Sequence, residues 1–517
     1  MRSSFGLRAT SFLAGAAMLS GVAALPTPAA ANGGFLTEKD PYITLAADAP
    51  AGSTVKAILS VGEDAGVSGF KFQGIPDGIG IVPGEGSTVD VYVAHEETSI
   101  PFRGSADFQN ASLSKLTLDT APGSSQGAVL DASVAIGPEE GFVRFCSASV
   151  AGPNEGLSKH YVFVGEESSN PVPVPPDAIY PADASLAPDR QAGYNVVLDH
   201  ETGEFTEVAG MGRLNHENTI VVPGGWSRHA MLTTDDTFAA PSSQLYMYLA
   251  SLERHIMLDR GSLWAFQVTH DDDGKVKAND AFNDANDYLD IGVGDDFRGR
   301  FIRVPKHIAK GLTGTENAQD QLENWSNENN VFQFIRLEDI AYDVNNPRVV
   351  YIADTGATRV IPDPETGRLQ RGVSGTVGSA DNGRIYRFEF NEKNPRIVDS
   401  FSVLADGDAP GSDEFVSFTS PDNLDTSSNS LMVQEDTSEA KIWRHDFASG
   451  EWTVVATVND PRGESSGIVD ASEWFGEGTW LLDVQAHGTL LETAPGPDNT
   501  TLKLEDGQLM LLNVPGS

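Results

Sequence analysis

The residues in this chain best suited to chemistry are acids placed at the ends of short apolar runs. Six β-prone runs close on acidic or histidine residues: VDVYVAHEE at 89–97, HYVFVGEE at 160–167, RHAMLTTDD at 228–236, VVYIAD at 349–354, SLMVQED at 430–436 and WLLDVQAHG at 480–488. Their ends carry His95, Glu96, Glu97, Glu166, Glu167, Asp235, Asp236, Asp354, Glu435, Asp436 and His487. If these ends converge, the carboxylates repel one another and raise each other's pKa unless cations lie among them. Oxygen-rich rings suit hard cations, and Ca2+ accepts about six to eight such ligands. The alternative is a set of acids that cap strands at a solvated rim.

Further polar residues stand apart from this repeat. Gly212-Arg213-Leu214-Asn215-His216-Glu217 precedes an apolar run, Arg336, Glu338 and Asp339 sit among apolar neighbours in FIRLEDI, and Asp422-Asn423 follows Pro421. Arg336 fits either a structural ion pair or anion recognition, because a planar guanidinium can grip a phosphate with two parallel hydrogen bonds. Cys146, in GFVRFCSASVAG, is the single cysteine. It reads either as a buried small hydrophobe or as a thiolate ligand for iron. No disulfide can form within the chain. The stretch DDDG at 271–274 lacks the ligand spacing of a calcium loop. Nucleophile-elbow, P-loop and H-E-x-x-H patterns are absent.

The elements that must position these residues are strands. Each acid-ended run is followed by a second strand-like run, as in ASLSKLTLD at 111–119, GYNVVLD at 193–199, QLYMYLAS at 244–251, RIYRFEF at 384–390, KIWRHDF at 441–447 and QLMLLNV at 508–514. Turn formers separate several pairs, as in antiparallel meanders. A recurring unit that cannot bury its own faces predicts an all-β chain folded as a six-bladed β-propeller, with the acid-ended runs lining the central channel. A further strand is expected at 261–270, a helical insertion at about 315–330 and a Pro-rich surface loop at 168–190. No composition break divides residues 32–517, so one propeller domain is the economical reading.

The chain has 34 Lys and Arg against 74 Asp and Glu, a formal charge of −40. Such a surface excludes nucleic acid and anionic membranes as natural partners. Arg2 and Arg8, the apolar stretch 11–25 and Ala29-Ala30-Ala31 read as a secretory signal peptide over residues 1–31, so a secreted or periplasmic protein is expected. The basic residues are not adjacent, so the twin-arginine signature is missing. No later segment is long and apolar enough to span a membrane. A monomer is expected.

IPDGIGIVPG followed by AHEE, then Cys146, GEE, GRLNHE, TTDD, FIRLED, SPDNL and DVQAHG occur in the order found in the PhoX-type alkaline phosphatases, which this chain resembles from about residue 70 to 490. The resemblance implies a six-bladed propeller with an iron–calcium centre, Ca2+ and Fe3+ as cofactors, and metal-assisted in-line hydrolysis of a small phosphomonoester. It implies Cys146 as an iron-ligating thiolate and Glu217 as a carboxylate ligand of iron. Glu167, Asp236, Glu338, Asp422 and Glu435 fall on or beside acids used for calcium or iron, and Arg336 resembles the phosphate-contacting arginine. Glu96 belongs with the expected metal ligands, with Glu166, Asp235 and Asn423 as additional candidates. The chain departs from the family at Ala94, in AGPNEGLSKHY and at Gln485-Ala486-His487-Gly488. A noncatalytic calcium-stabilised binding propeller and a calcium-dependent lactonase or phytase-like hydrolase are the competing readings. Arg336 and Cys146 separate them, since neither is required by a calcium-only scaffold.

Overall fold

The computed structural model describes residues 34–517 except 177, 238–242, 276–286, 313–315, 365–368 and 379. The signal-peptide reading of residues 1–31 therefore lies outside the described residues. Strands dominate, and their pairing follows chain order. The first meander runs outward through Pro76–Pro83, Thr88–His95, Ser112–Asp119 and Val129–Ile136. The second runs through Phe145–Ala151, Tyr161–Glu166, Asn195–Asp199 and Phe205–Glu207. The third begins with His216–Val222, His229–Asp235, Leu245–Ala250 and Ser262–His270, and the fourth with Leu337–Asp343, Asn346–Asp354, Arg384–Phe390 and Ile397–Asp406. Asp296–Arg303 pairs with the outer strand of each, so these two meanders form one nine-stranded sheet.

The fifth meander, Pro421–Thr426, Ser430–Glu435, Lys441–Asp446 and Trp452–Val458, gains Ile43–Leu45 as its outer edge. The sixth, Glu464–Asp470, Thr479–Pro495 and Thr501–Asn513, gains Thr54–Ser60. The innermost strands touch in succession and Glu464–Asp470 touches Pro76–Pro83, which closes the ring of this β-propeller. The helix Ala318–Glu328 lies in the predicted insertion, with Asn317 capping its N-terminus through a hydrogen bond from Asp320 N–H. No helix among the described residues is long and apolar enough to cross a membrane.

Two sequence expectations need correction. The predicted blades are not all separate, because the third and fourth meanders share a sheet. The acid-ended runs are the second strands of their meanders, and three of the innermost strands carry the polar blocks that seemed to stand outside the repeat. Innermost strands such as HENTIVV, PDNLDT and ESSGIVD mix polar residues with apolar ones and lack the alternation that identifies a half-buried strand. They face an axial channel on one side and a neighbouring strand on the other.

Apolar faces pack sheet against sheet around the ring. Ile79, Val91, Leu481 and Leu509 join the sixth meander to the first, and Tyr92, Leu113, Phe145 and Val162 join the first to the second. Around Phe401 the rings of Phe388, Phe332, Phe266 and Tyr386 lie at centroid distances of 4.5, 5.2, 5.3 and 5.4 Å. Aromatic pairs at such spacing add to the stabilisation from burial. Phe401→Ala is expected to destabilise the fold by about 3–5 kcal/mol, read by denaturant unfolding. A loss below about 1 kcal/mol contradicts this packing.

Candidate metal centre

Each innermost strand meets its partner at the same end, and there the register slips. Shifts lie between Pro76 and Ile79, Phe145 and Ser147, His216 and Thr219, Leu337 and Ile340, Pro421 and Leu424, and Ser466 and Val469. A β-bulge adds a residue and re-aims a side chain. The residues carried in the first five irregularities include Asp77, Cys146, Glu217, Glu338 and Asp422. The bulges thus bring five chemically active side chains to one end of the channel.

The acid-ended second strands finish beside them, and adjacent residues at each end do different work. Glu166 accepts hydrogen bonds from Val143, Gly193 and Tyr194 N–H at 3.0, 2.9 and 3.1 Å. Asp354 does the same for Ile335, Arg336 and Gly356 at 3.0, 3.1 and 3.0 Å. Glu435 accepts from Thr419 N–H, Lys441 N–H and Trp443 Nε1 at 3.1, 3.0 and 2.9 Å. Asp235 accepts from Thr237 Oγ1 at 2.7 Å, and His95 bonds Gly74 O at 3.0 Å and Ser114 Oγ at 2.8 Å. These residues hold loops in place. Glu96, Glu167, Asp236 and Asp436 follow immediately and, by strand alternation, turn the other way.

Three groups result, and within each the potential ligand atoms lie within 4.8 Å of one another: Asp77, Glu96 and Cys146; Cys146, Glu167 and Glu217; Glu217, Glu338 and Asp422. Cys146 and Glu217 each belong to two groups, so the three form one chain of sites. Cys146 Sγ donates to Glu167 Oε2 at 2.8 Å. Burial, then mutual repulsion among the acids, raises the pKa of Asp77, Glu167 and Glu217 well above the carboxylate range. The same causes, partly offset by Arg336, act on Glu338 and Asp422. Burial also pushes up the Cys146 thiol, with Glu167 the next cause. A buried set of carboxylates plus one thiol fits cations as its natural complement.

Two arginines reach this centre. Arg336 forks onto Asp236, with Nε to Oδ1 at 2.8 Å and Nη2 to Oδ2 at 2.6 Å, and its Nη2 lies 3.2 Å from Glu338 Oε1. Arg144 Nη1 lies 3.2 Å from Glu96 Oε1.

Of the predicted site residues, Cys146, Glu96, Glu167, Glu217, Glu338 and Asp422 come together, with Asp236 and Arg336 paired beside them. Glu435, Glu166 and Asp235 bind loop groups instead. Asn423 lies within the same irregularity, next to Asp422, where it donates to Asp339 and lines an axial cavity of about 420 Å³ with Asn218 and Asp425. The cavity lining begins one residue beyond the cluster, at Gly78, Ser147, Asn218, Asp339 and Asn423, so the centre sits at the channel's end.

Asp77, Arg144 and Glu464 were not legible as site residues. Asp77 stands in a quoted motif, IPDG, but only the bulge shows which way it points. Glu464 shares a hydrogen bond with Asp436 and lies 3.5 Å from His487 Nε2. DDDG lies just past the outer strand Ser262–His270 and contributes nothing to the centre.

The sequence model of the family described as alkaline phosphatase PhoX matches residues 168–474. That stretch carries Glu217, Asp236, Arg336, Glu338 and Asp422, while Asp77, Glu96 and Cys146 precede it. No sequence match to a curated protein was found. Pseudomonas fluorescens PhoX in complex with vanadate, a transition state analogue, is similar in fold, with a TM-score of 0.60 and 14% identity over 93% of this chain and 97% of that one. The α-L-arabinofuranosidase of Fusarium graminearum with an iminosugar inhibitor has a TM-score of 0.38 at 9% identity, covering 88% of this chain and 97% of its own.

The acids give a signed pH test. A raised folded-state pKa means that the folded chain keeps protons that the unfolded chain releases above about pH 4, so stability without metal falls as pH rises past that point. Chelator-treated protein is expected to melt lower at pH 8 than at pH 5, and saturating cations are expected to shrink that difference. A chelated protein that melts equally well at both pH values contradicts the buried-acid account.

Proposed function

The chain belongs to the PhoX alkaline phosphatase family, and we propose that it hydrolyses phosphomonoesters at the three linked ligand groups with Ca2+ and Fe3+ as the cations held there. It is a phosphoric monoester hydrolase by family. The observation that carries the proposed site is the sharing of Cys146 and Glu217 between neighbouring groups, with Arg336 anchored alongside.

The donor set supports the choice of ions. Asp77, Glu96, Glu167, Glu217, Glu338 and Asp422 offer hard carboxylate oxygens for calcium, while Cys146 adds a softer thiolate suited to iron. Bound cations supply positive charge to the phosphoryl oxygens and lower the pKa of water.

The chain's own residues do the positioning. Asp236 holds the Arg336 guanidinium by two parallel hydrogen bonds, fixing its plane next to Glu338. A guanidinium fixed in this way stabilises charge on the transferring phosphoryl group without reorganising during the reaction. Glu166, Asp354 and Glu435 hold the surrounding loops by backbone N–H groups, which keeps the ligand side chains in place. Export to the periplasm or medium, read from the N-terminal 31 residues, forms part of this proposal.

Two variants test the proposal. Arg336→Ala is expected to keep its metal content and lose roughly a hundredfold or more in p-nitrophenyl phosphate turnover. Hydrolysis at the parental rate rejects Arg336 as the phosphoryl-stabilising group. Cys146→Ser is expected to stay folded while losing iron and the visible colour of a thiolate–iron pair, measured by elemental analysis and absorption. A parent that is colourless and iron-free yet hydrolyses the ester returns Cys146 to the role of a core residue.

A further inference from the structure

Arg144 occupies a strained and doubly tied position. Its φ is 53°, in the left-handed region that non-glycine residues seldom enter. Its N–H donates to Glu97 O at 3.1 Å and its carbonyl accepts from Glu167 N–H at 2.9 Å. The loops that follow two acid-ended strands therefore clamp it. From there the guanidinium faces two ways: Nη1 pairs with Glu96 Oε1 at 3.2 Å, and the group lies 6.0 Å from the centroid of the Phe102 ring.

Phe102 is 57% exposed, on a short turn between Thr98 and Asp107. The turn is rigid at its base, where Thr98 N–H donates to Asp107 Oδ2 at 2.8 Å and Asp107 N–H to Thr98 O at 2.8 Å. Phe102 and Ser105 exchange backbone hydrogen bonds of 2.8 and 3.0 Å across Arg103 and Gly104. Ser105–Asp107 is also pinned in parallel register to Thr501–Lys503, on the long hairpin that continues past Gln485. Arg103, with φ 48°, holds its guanidinium 4.9 Å from the Phe102 ring. An exposed phenyl group and two guanidiniums thus stand on a fixed rim. They connect to the ligand group of Asp77, Glu96 and Cys146 through a single ion pair.

The location of this rim bears on the substrate. Arg336 stands on one side of the centre, beside Asp236 and Glu338, which belong to the third and fourth meanders. Arg144 and Phe102 lie on the side of Glu96 and Cys146, from the first and second. A chain of charge −40 repels any ester bearing extra negative charge, and a pair of guanidiniums on this side offsets that repulsion locally.

We propose that Phe102, Arg103 and Arg144 form a specificity rim that selects phosphomonoesters whose alcohol portion carries a second anionic group, a carboxylate or another phosphate. The inference rests on the phosphatase reading and names the substrate class of that same site. Arg103 and Arg144 act here on the alcohol portion and not on the reacting phosphorus.

The test compares kcat/KM for phosphoglycerate with that for glycerol phosphate, two esters that differ in one carboxylate, using the metal-loaded full chain. Arg103→Asn removes the charge while keeping a residue that tolerates positive φ, and Arg103→Lys restores the charge. The ratio is expected to favour phosphoglycerate in the parent, to fall about fivefold in Arg103→Asn through KM, and to recover in Arg103→Lys. The preference should also weaken with added salt. An unchanged ratio in Arg103→Asn, with both esters still hydrolysed, overturns the rim alone. A metal-loaded parent that hydrolyses neither ester, nor p-nitrophenyl phosphate, overturns the rim together with the phosphatase reading.

Discussion

Repulsion among buried carboxylates is the constraint that the rest of this structure serves. Asp77, Glu167, Glu217, Glu338 and Asp422 are each enclosed and held close to like charges. A fold accepts such crowding where surrounding groups fix the geometry and protons or cations offset the repulsion. The fixing is done by backbone. Three acids, Glu166, Asp354 and Glu435, each accept three hydrogen bonds from backbone or indole N–H groups, which ties the strand ends to the neighbouring loops. One residue beyond the loop-holding position come Glu96, Glu167, Asp236 and Asp436, in the first, second, third and fifth meanders. Alternation along a strand therefore assigns one carboxylate to architecture and its neighbour to chemistry.

That division explains which parts of the site were legible. Runs such as VDVYVAH and HYVFVGE announce strands because apolar residues recur in a β pattern, and the acids at their ends mark a common level. The face of each acid depends on a single residue of register, and a bulge changes it. Glu435 and Asp436 are equivalent in a sequence; only the Trp443 indole and the Lys441 N–H show that Glu435 belongs to the loop. The innermost strands were harder still. PDGIGIVP carries glycines at Gly78 and Gly80, where an added Cβ meets Ala148 N at 2.1 Å and the Val150 side chain at 2.7 Å. Close approach between neighbouring strands of the ring demands those glycines, and the same demand erases the alternating pattern by which strands are recognised.

Closure of the ring carries the second burden. Asp77 and Glu464 belong to adjacent meanders separated by most of the chain, and Gln485 Nε2 donates to Asp77 Oδ2 at 3.0 Å across that junction. With one cysteine, no disulfide holds the junction. It is held by the apolar cluster around Ile79, Leu481 and Leu509, and by N-terminal strands that complete the outer edges of the last two meanders. Long-range pairing of this kind carries a loop-closure entropy cost that is paid before these contacts form.

The two arginines at the centre differ in how they are held, and the difference matches what each can contribute. Arg336 is forked onto Asp236, an acid with 1% of its side chain exposed, so both its position and its plane are set. Arg144 has a single ion pair, to Glu96, whose side chain is 20% exposed, with Glu167, Cys146 and Asp107 as further electrostatic neighbours and the exposed Phe102 ring 6.0 Å away. On the proposed function, a fixed guanidinium suits a group whose geometry never varies, such as a phosphoryl unit. On the proposed rim, a guanidinium held by one ion pair contributes a weaker and more salt-sensitive attraction. The strain at residue 144 is held in place by its backbone, whose N–H donates to Glu97 O and whose carbonyl accepts from Glu167 N–H.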